Sequence, residues 1–284
     1  MNTTAQLRQE DIAQRHQEDT ARLRQKDLER LQLLRYIDDD FMTVCLADNF
    51  EGVELILRIV LKRKDITITS VRTQEPLKNL QGRSAVLDVH AVDSTDKEFD
   101  IEIQRSDAGA GAKRARHNSS LLDAHIVKPG DDTEEIPDSY VIFITENDAM
   151  KGSRPLYPVE RYVTIGEKKV WFGDGSHILY VNGKYRGDDE IGKLMHDFSC
   201  TDPDNMNYEA LAKRARYFKK DEKGMAAMCK ILEDMRNEAA REAAQKTAIR
   251  MIRAGKMPLE DIADYTELPL DTVKELASRT VRFA

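Results

Sequence analysis

Apolar and polar residues alternate with different periods along the chain, and each period predicts an element. Residues 2–35 hold sparse apolar positions, Leu7, Ile12, Leu23, Leu28 and Leu31 among them, in a background of Gln, Arg, Glu and Asp without Gly or Pro. A loose unit recurs there as Gln9-Glu10-Asp11, Gln17-Glu18-Asp19 and Gln25-Lys26-Asp27. This predicts a long solvated helix with many i,i+4 charge pairs, serving as a helical extension or as an oligomerising arm. Residues 40–61 carry apolar groups at helical spacing, interrupted around residues 48–52, which predicts two helices.

The period then changes. Residues 66–72 (ITITSVR) alternate as a strand, residues 84–105 predict a hairpin, and residues 112–125 a helix. The continuous apolar run at 140–145 (YVIFIT) suits a strand buried on both faces. Short strands are predicted at 160–165 and 177–182, the second closed by an Asn182-Gly183 turn. Helices are predicted at 190–196, 208–217 and 223–254, followed by a helix, a turn at Pro269 and a second helix within 257–279. This order predicts an α/β core with a mixed central sheet flanked by helices, a long N-terminal helix and a helical C-terminal tail. The expected boundaries are 1–35 for the charged extension, 36–220 for the core and 221–284 for the tail.

Composition narrows the function classes. With 284 residues and 40% hydrophobic content the chain is long enough for a sizeable core and for an enzyme. No run approaches the roughly 18 consecutive apolar residues of a membrane span, and the N-terminus lacks the apolar stretch of a signal peptide. A soluble, cytoplasmic protein with no membrane partner is therefore expected. The three cysteines, Cys45, Cys200 and Cys229, are far apart and show no metal-ligand spacing, which argues against a disulfide framework and a structural zinc. A net charge of −7 offers no global attraction to nucleic acid, so contact with DNA must come from local patches or bound ions. One patch is Lys113, Arg114 and Arg116; another is residues 236–256, with six basic residues against two acids.

The hairpin holds the candidate chemistry. With its turn centred on Thr95, Asp88 falls opposite Glu102. Alternation puts Asp88, His90, Asp100, Glu102 and Gln104 on one polar face and Leu87, Val89, Ile101 and Ile103 on an apolar one. Carboxylates placed opposite each other repel, so the pair needs solvent or a compensating cation. A hard divalent ion supplies that charge, and at a phosphodiester it polarises the phosphoryl oxygen and activates a bound water. On spacing alone, a wet structural hairpin is the favoured reading of the acids, and His90 reads as a bystander on the same face.

The order of an acid on one strand, Glu-x-Gln on the next and a basic helix after it resembles the PD-(D/E)XK nucleases. More closely, the chain resembles the PD-(D/E)XK transposase family, the recombination-promoting nucleases of the Rpn type. The resemblance spans about Leu31 to the C-terminus. It rests on Asp38-Asp39-Asp40-Phe41-Met42, on Gly82-Arg83-Ser84 leading into Leu87-Asp88-Val89, and on Ile101-Glu102-Ile103-Gln104. It continues through Lys113-Arg114-Ala115-Arg116, the runs YVIFITE at 140–146 and HILYVNG at 177–183, and KLMHDF at 193–198.

The resemblance implies a restriction-endonuclease-like core and a Mg²⁺- or Mn²⁺-dependent endonuclease acting on double-stranded DNA, in a mobile-element, recombination or defence setting. Asp88 and Glu102 would be metal ligands, with the Ile103 carbonyl as a third. Asp38 would assist from the preceding helix, and Gln104 would stand at the position of the motif lysine. Gln104 is neutral, so the charge of that lysine would pass to the metal and to a nearby cation, with Arg105, Lys113, Arg114 and Arg116 as phosphate-contact candidates. A competing expectation is a weak or inactive nuclease-fold protein that binds DNA or protein. The acidic stretch at 129–137 is expected away from DNA. The tail is expected to end in a helix-turn-helix-like pair or a packing hairpin, and the helical arms could support a homodimer.

Overall fold

A computed structural model describes residues 21–78, 84–127 and 130–281. Residues 1–20, which hold most of the expected N-terminal helix, lie outside the described residues, as do Gly82 and Arg83. The chain forms two compact units, Gln32–Asp221 and a second that, among the described residues, joins 21–31 with 222–281.

The larger unit is built on a six-stranded mixed sheet. Its strands are β1 (Ile68–Leu77), β2 (Ala85–Asp93), β3 (Glu98–Gln104), β4 (Ser139–Thr145), β5 (Leu156–Val159) and β8 (Ser176–Asn182), in the order β1-β2-β3-β4-β8-β5. β1, β2 and β3 are antiparallel neighbours, β3-β4 and β4-β8 are parallel, and β5 runs antiparallel on the edge. Every residue of β4 is buried, as its unbroken apolar run requires in the middle of a covered sheet. A separate ribbon, β6 (Tyr162–Ile165) with β7 (Lys168–Trp171), stands outside this sheet.

Helix α1 covers residues 21–33. The apolar stretch at 40–61 forms α2 (Asp39–Leu46) and α3 (Phe50–Leu61), which pack on β1. The break is narrower than the spacing suggests, because the Asn49 side chain accepts from the Gly52 N–H at 3.0 Å and starts α3 two residues before that glycine. α3 then turns Val53, Ile56, Leu57 and Val60 into the core and ends at Lys62 in a left-handed conformation. Helix α4 (Ala112–Ile126) covers the opposite region, where Ala115, Leu121 and Leu122 cluster with Leu87, Val141, Phe143 and Tyr180. Helices α5 (Glu190–Ser199) and α6 (Glu209–Lys220) complete the unit.

Two expectations change. The strand expected at 160–165 is β6, shortened to Tyr162–Ile165 and paired with β7 outside the main sheet, while β5 and β7 were not expected. The hairpin register is as predicted, with Val89 opposite Ile101 and His90 opposite Asp100, but the ladder stops there. Asp88 therefore leaves strict alternation, and Leu87 packs with the α4 cluster instead of facing away from it.

In the other unit, α7 (Glu222–Ala254) packs with α8 (Leu259–Thr266) and α9 (Leu270–Val281) around Ala248, Ile262, Ala263, Leu268 and Val273. Glu267, at φ 55°, makes the sharp turn between α8 and α9. Arg236 of α7 pairs with Asp27 of α1 at 2.7 Å. Among the described residues no helix is long and apolar enough to cross a membrane.

Candidate functional site

The polar face of the hairpin is not wet. Because β3 and β4 pair in parallel, Asp100 lies beside Val141 and Glu102 beside Phe143, and those two apolar residues pack under α4. The helix thereby seals the acids in: Asp100 and Glu102 are fully buried and Asp88 is only 8% exposed. Alternation identifies which residues share a face, whereas the covering layer decides whether that face meets water.

Asp88 sits where β2 parts from β3. Its Oδ2 accepts the Ile103 N–H at 3.0 Å, taking the place of a strand partner. The Gln104 carbonyl accepts from the Glu146 N–H at 2.9 Å on the β4 side. Successive peptide groups of a strand point to opposite edges, so the Ile103 carbonyl faces the β2 side, where Asp88 lies.

Among the described residues one cation pairs with the cluster of three buried carboxyls, through Glu102. Arg114 Nη2 lies 2.6 Å from Glu102 Oε2, and its Nη1 donates to Gln104 Oε1 at 3.3 Å. Asn118, one helical turn on, donates to Asp100 Oδ2 at 3.3 Å. Asp100 Oδ1 and Glu102 Oε1 are buried without a donor. The two carboxyls lie close enough to interact, which raises Asp100 further.

Burial, then repulsion from Glu102 and Asp39, pushes the Asp88 carboxyl up to about 7. Burial, then Glu102 and Asp88, lifts Asp100 well above the ordinary range. Burial also raises Glu102, against the attraction of Arg114. The site holds more negative charge than its protein surroundings neutralise.

The other expected residues distribute unevenly. Lys113 and Arg114 line a cavity of about 730 Å³ together with Asp88, His117, Asn118 and Ser84. Arg116 is exposed, and its carbonyl accepts the Ser120 hydroxyl. Asp38 is not turned to Asp88. It accepts the Arg35 N–H at 2.8 Å and pairs with Arg35 and Arg105, each at 3.1 Å. Both arginines also pair with Glu146, at 3.0 and 3.3 Å, so these four residues form a self-neutralised network that includes Arg105. The helix acid that acts on Asp88 is Asp39, itself raised by burial and by Asp40.

Sequence reasoning placed Asp100 on the polar face without giving it a role, and it missed Asp39 and Asn118. Asp100 was legible from its alternation with Glu102. The choice among Asp38, Asp39 and Asp40 depends on helix phase, which a run of acids does not reveal. Gly109 has a visible reason: a Cβ there would come within 1.9 Å of Gln104 Oε1, so the glycine leaves room for the amide beside Arg114.

His90 is held by Glu98 at 2.6 Å and by Glu75. Burial lowers its basicity, but hydrogen bonds that its ring nitrogens donate to the two glutamates more than offset this and raise it. The acidic stretch, described from residue 130, forms a short turn at Thr133–Glu135 and lines a different cavity from the one at Asp88.

Among the described residues no group of three or more His, Cys, Asp and Glu side chains stands arranged around a metal position. A smaller donor set remains: Asp88, the unpartnered Glu102 Oε1 and the Ile103 carbonyl, all oxygen. Mg²⁺ requires only one or two carboxylates because it keeps several waters. Excess buried negative charge, an orphaned oxygen and an all-oxygen donor set fit a hard divalent cation.

Against known proteins, the chain matches no family model, no curated protein and no solved structure.

Proposed function

We propose that the larger unit is a divalent-cation-dependent DNA endonuclease core of the restriction-endonuclease type. One observation carries the reading: Asp88 and Glu102, on adjacent strands, form an undercompensated acidic pair, of which Asp88 lines a cavity together with Lys113 and Arg114. Asp88, Glu102 and the Ile103 carbonyl would hold Mg²⁺ or Mn²⁺. When bound, such an ion supplies Lewis-acid polarisation of a phosphoryl oxygen and a water of lowered pKa.

The chain's own residues do the rest. Asp88 is fixed by the Ile103 N–H, so one of its oxygens is oriented and the other is available. Arg114 takes over the electrostatic part that Gln104 cannot perform, since it bridges Glu102 and Gln104 and is 43% exposed towards the cavity. A guanidinium in that position offers a fork to a phosphate oxygen and stabilises negative charge as it grows there. Gln104 holds Arg114 through its amide oxygen, and Gly109 makes room for that amide.

A second reading, an inactive module that binds DNA or protein, is favoured by the same contact, because Arg114 already occupies Glu102 Oε2 and Gln104 carries no charge. Nicking of supercoiled plasmid separates the two. Wild type should nick with Mg²⁺ or Mn²⁺ and lose that activity in EDTA, and Asp88→Asn should be at least about 100-fold slower, the range expected when an electrostatic catalytic group is lost. Equal background cleavage by both proteins sinks the enzyme reading.

A further inference from the structure

The β6-β7 ribbon exposes more apolar surface than an isolated ribbon tolerates. Tyr162, Val163, Ile165, Val170, Trp171 and Phe172 are between 41% and 62% exposed. Pairing sets Tyr162 beside Trp171 and Val163 beside Val170, and alternation along each strand then places apolar groups on both faces. A two-stranded ribbon by itself is marginally stable in water and needs a surface to pack against. The strand leading into it, β5, is the edge of the main sheet, where Val159 is 45% exposed.

Charge identifies the occupant. The tip of the ribbon carries Lys168 and Lys169 against the single acid Glu167. At its foot lies a groove of about 650 Å³, lined by Asp123, Glu134, Asp138, Asp174, Arg161 and Phe172 among others. Arg161 is taken up by Asp174, and Lys97 by Asp138 at 2.5 Å, leaving Asp123 and Glu134 without a salt bridge among the described residues. No residue of the cationic tip lines the groove of its own chain. One chain thus carries a cationic apolar ribbon and an acidic groove beside it, a self-complementary pair that a twofold interface uses twice. An acidic groove disfavours nucleic acid as the occupant.

We propose that the protein dimerises through this ribbon, each copy packing its apolar residues on the other's and placing Lys168 and Lys169 at the acidic groove beside the partner copy's ribbon. The test is sedimentation equilibrium of the full chain at micromolar concentration, with far-ultraviolet circular dichroism to verify folding. Wild type should have twice the mass of the chain. Ile165→Glu with Trp171→Glu, both at exposed positions, should shift it to monomer. Lys168→Glu with Lys169→Glu should weaken the dimer by about tenfold or more, equivalent to about 1.4 kcal/mol. Adding Glu134→Lys to that pair should restore part of the loss. A monomeric wild type overturns the proposal, and so does a dimer that survives the ribbon substitutions with its affinity unchanged. A charge reversal that has no effect, or that Glu134→Lys does not rescue, overturns the assignment of tip to groove.

Discussion

Replacing Asp88 by Asn should make the protein more stable at alkaline pH while abolishing the proposed activity. In the folded chain this carboxyl is moved from an ordinary value of 3.8 to about 7, mainly by burial and by repulsion from Glu102. Between those two values the folded form holds a proton that the unfolded chain has released, so stability falls as pH rises across the window and is level above it. The displacement corresponds to roughly 4 kcal/mol of penalty at pH 8 and about 1.6 kcal/mol at pH 5. Because Asp88, Asp100 and Glu102 share the repulsion, removing one charge recovers about half of this, or ~2 kcal/mol.

Asparagine keeps the acceptor for the Ile103 N–H and leaves the shape unchanged. For a unit of this size ~2 kcal/mol is a rise in melting temperature of about 4–8 °C. The assay is thermal melting of wild type and Asp88→Asn from pH 5 to 9 in EDTA. The gain should widen from pH 5 to pH 8 and then stay constant. Millimolar Mg²⁺ should raise wild type and leave the variant where it was, closing the gap, since only the native state holds the ion. A variant that melts at or below wild type at pH 8, with the same pH slope, refutes the crowded-carboxylate reading.

Three further outcomes follow from the same geometry. Arg114→Met should slow nicking by about 100-fold, with Arg114→Lys recovering part of the rate, because the guanidinium stabilises charge at the phosphate; plasmid nicking at saturating Mg²⁺ measures it. Lys219→Met should lower stability by about 3 kcal/mol or more in a denaturant titration. Its buried Nζ donates to the carbonyls of Gln32, Leu34 and Thr201 at 3.1, 2.5 and 2.5 Å, and methionine leaves all three unsatisfied. His90→Gln should cost stability fully below the ordinary histidine value of 6.5, and the difference should fade as pH rises through the higher folded value, since protonated His90 is the form that Glu75 and Glu98 favour. Melting curves of wild type and variant against pH, beside an NMR titration of His90, check this.

Much of the architecture was legible before any coordinates. The period of 3.6 in residues 40–61 marked α2 and α3, the YVIFIT run marked a central strand, and the turn at Thr95 set the hairpin register through Val89 and Ile101. These features are local: a hydrophobic period or a tight turn restricts the backbone within a few residues. The acidic pair and the basic helix were legible for the same reason.

What the chain alone left undecided were relations between elements distant in sequence. Whether the acids of β3 face water depended on α4 and β4 closing over them, and burial is what turns Asp88, Asp100 and Glu102 from solvated charges into a strained cluster. Among three successive acids, helix packing directs Asp39 towards Asp88, while Asp38 is held by Arg35 and Arg105. Among four cations near Gln104, only Arg114 pairs with Glu102 among the described residues; Lys113 shares its helical turn, so helix phase rather than position along α4 makes the choice. Residue types and periods thus set which groups were available. Distance and dielectric, which select partners and shift charge states, exist only once the layers are packed.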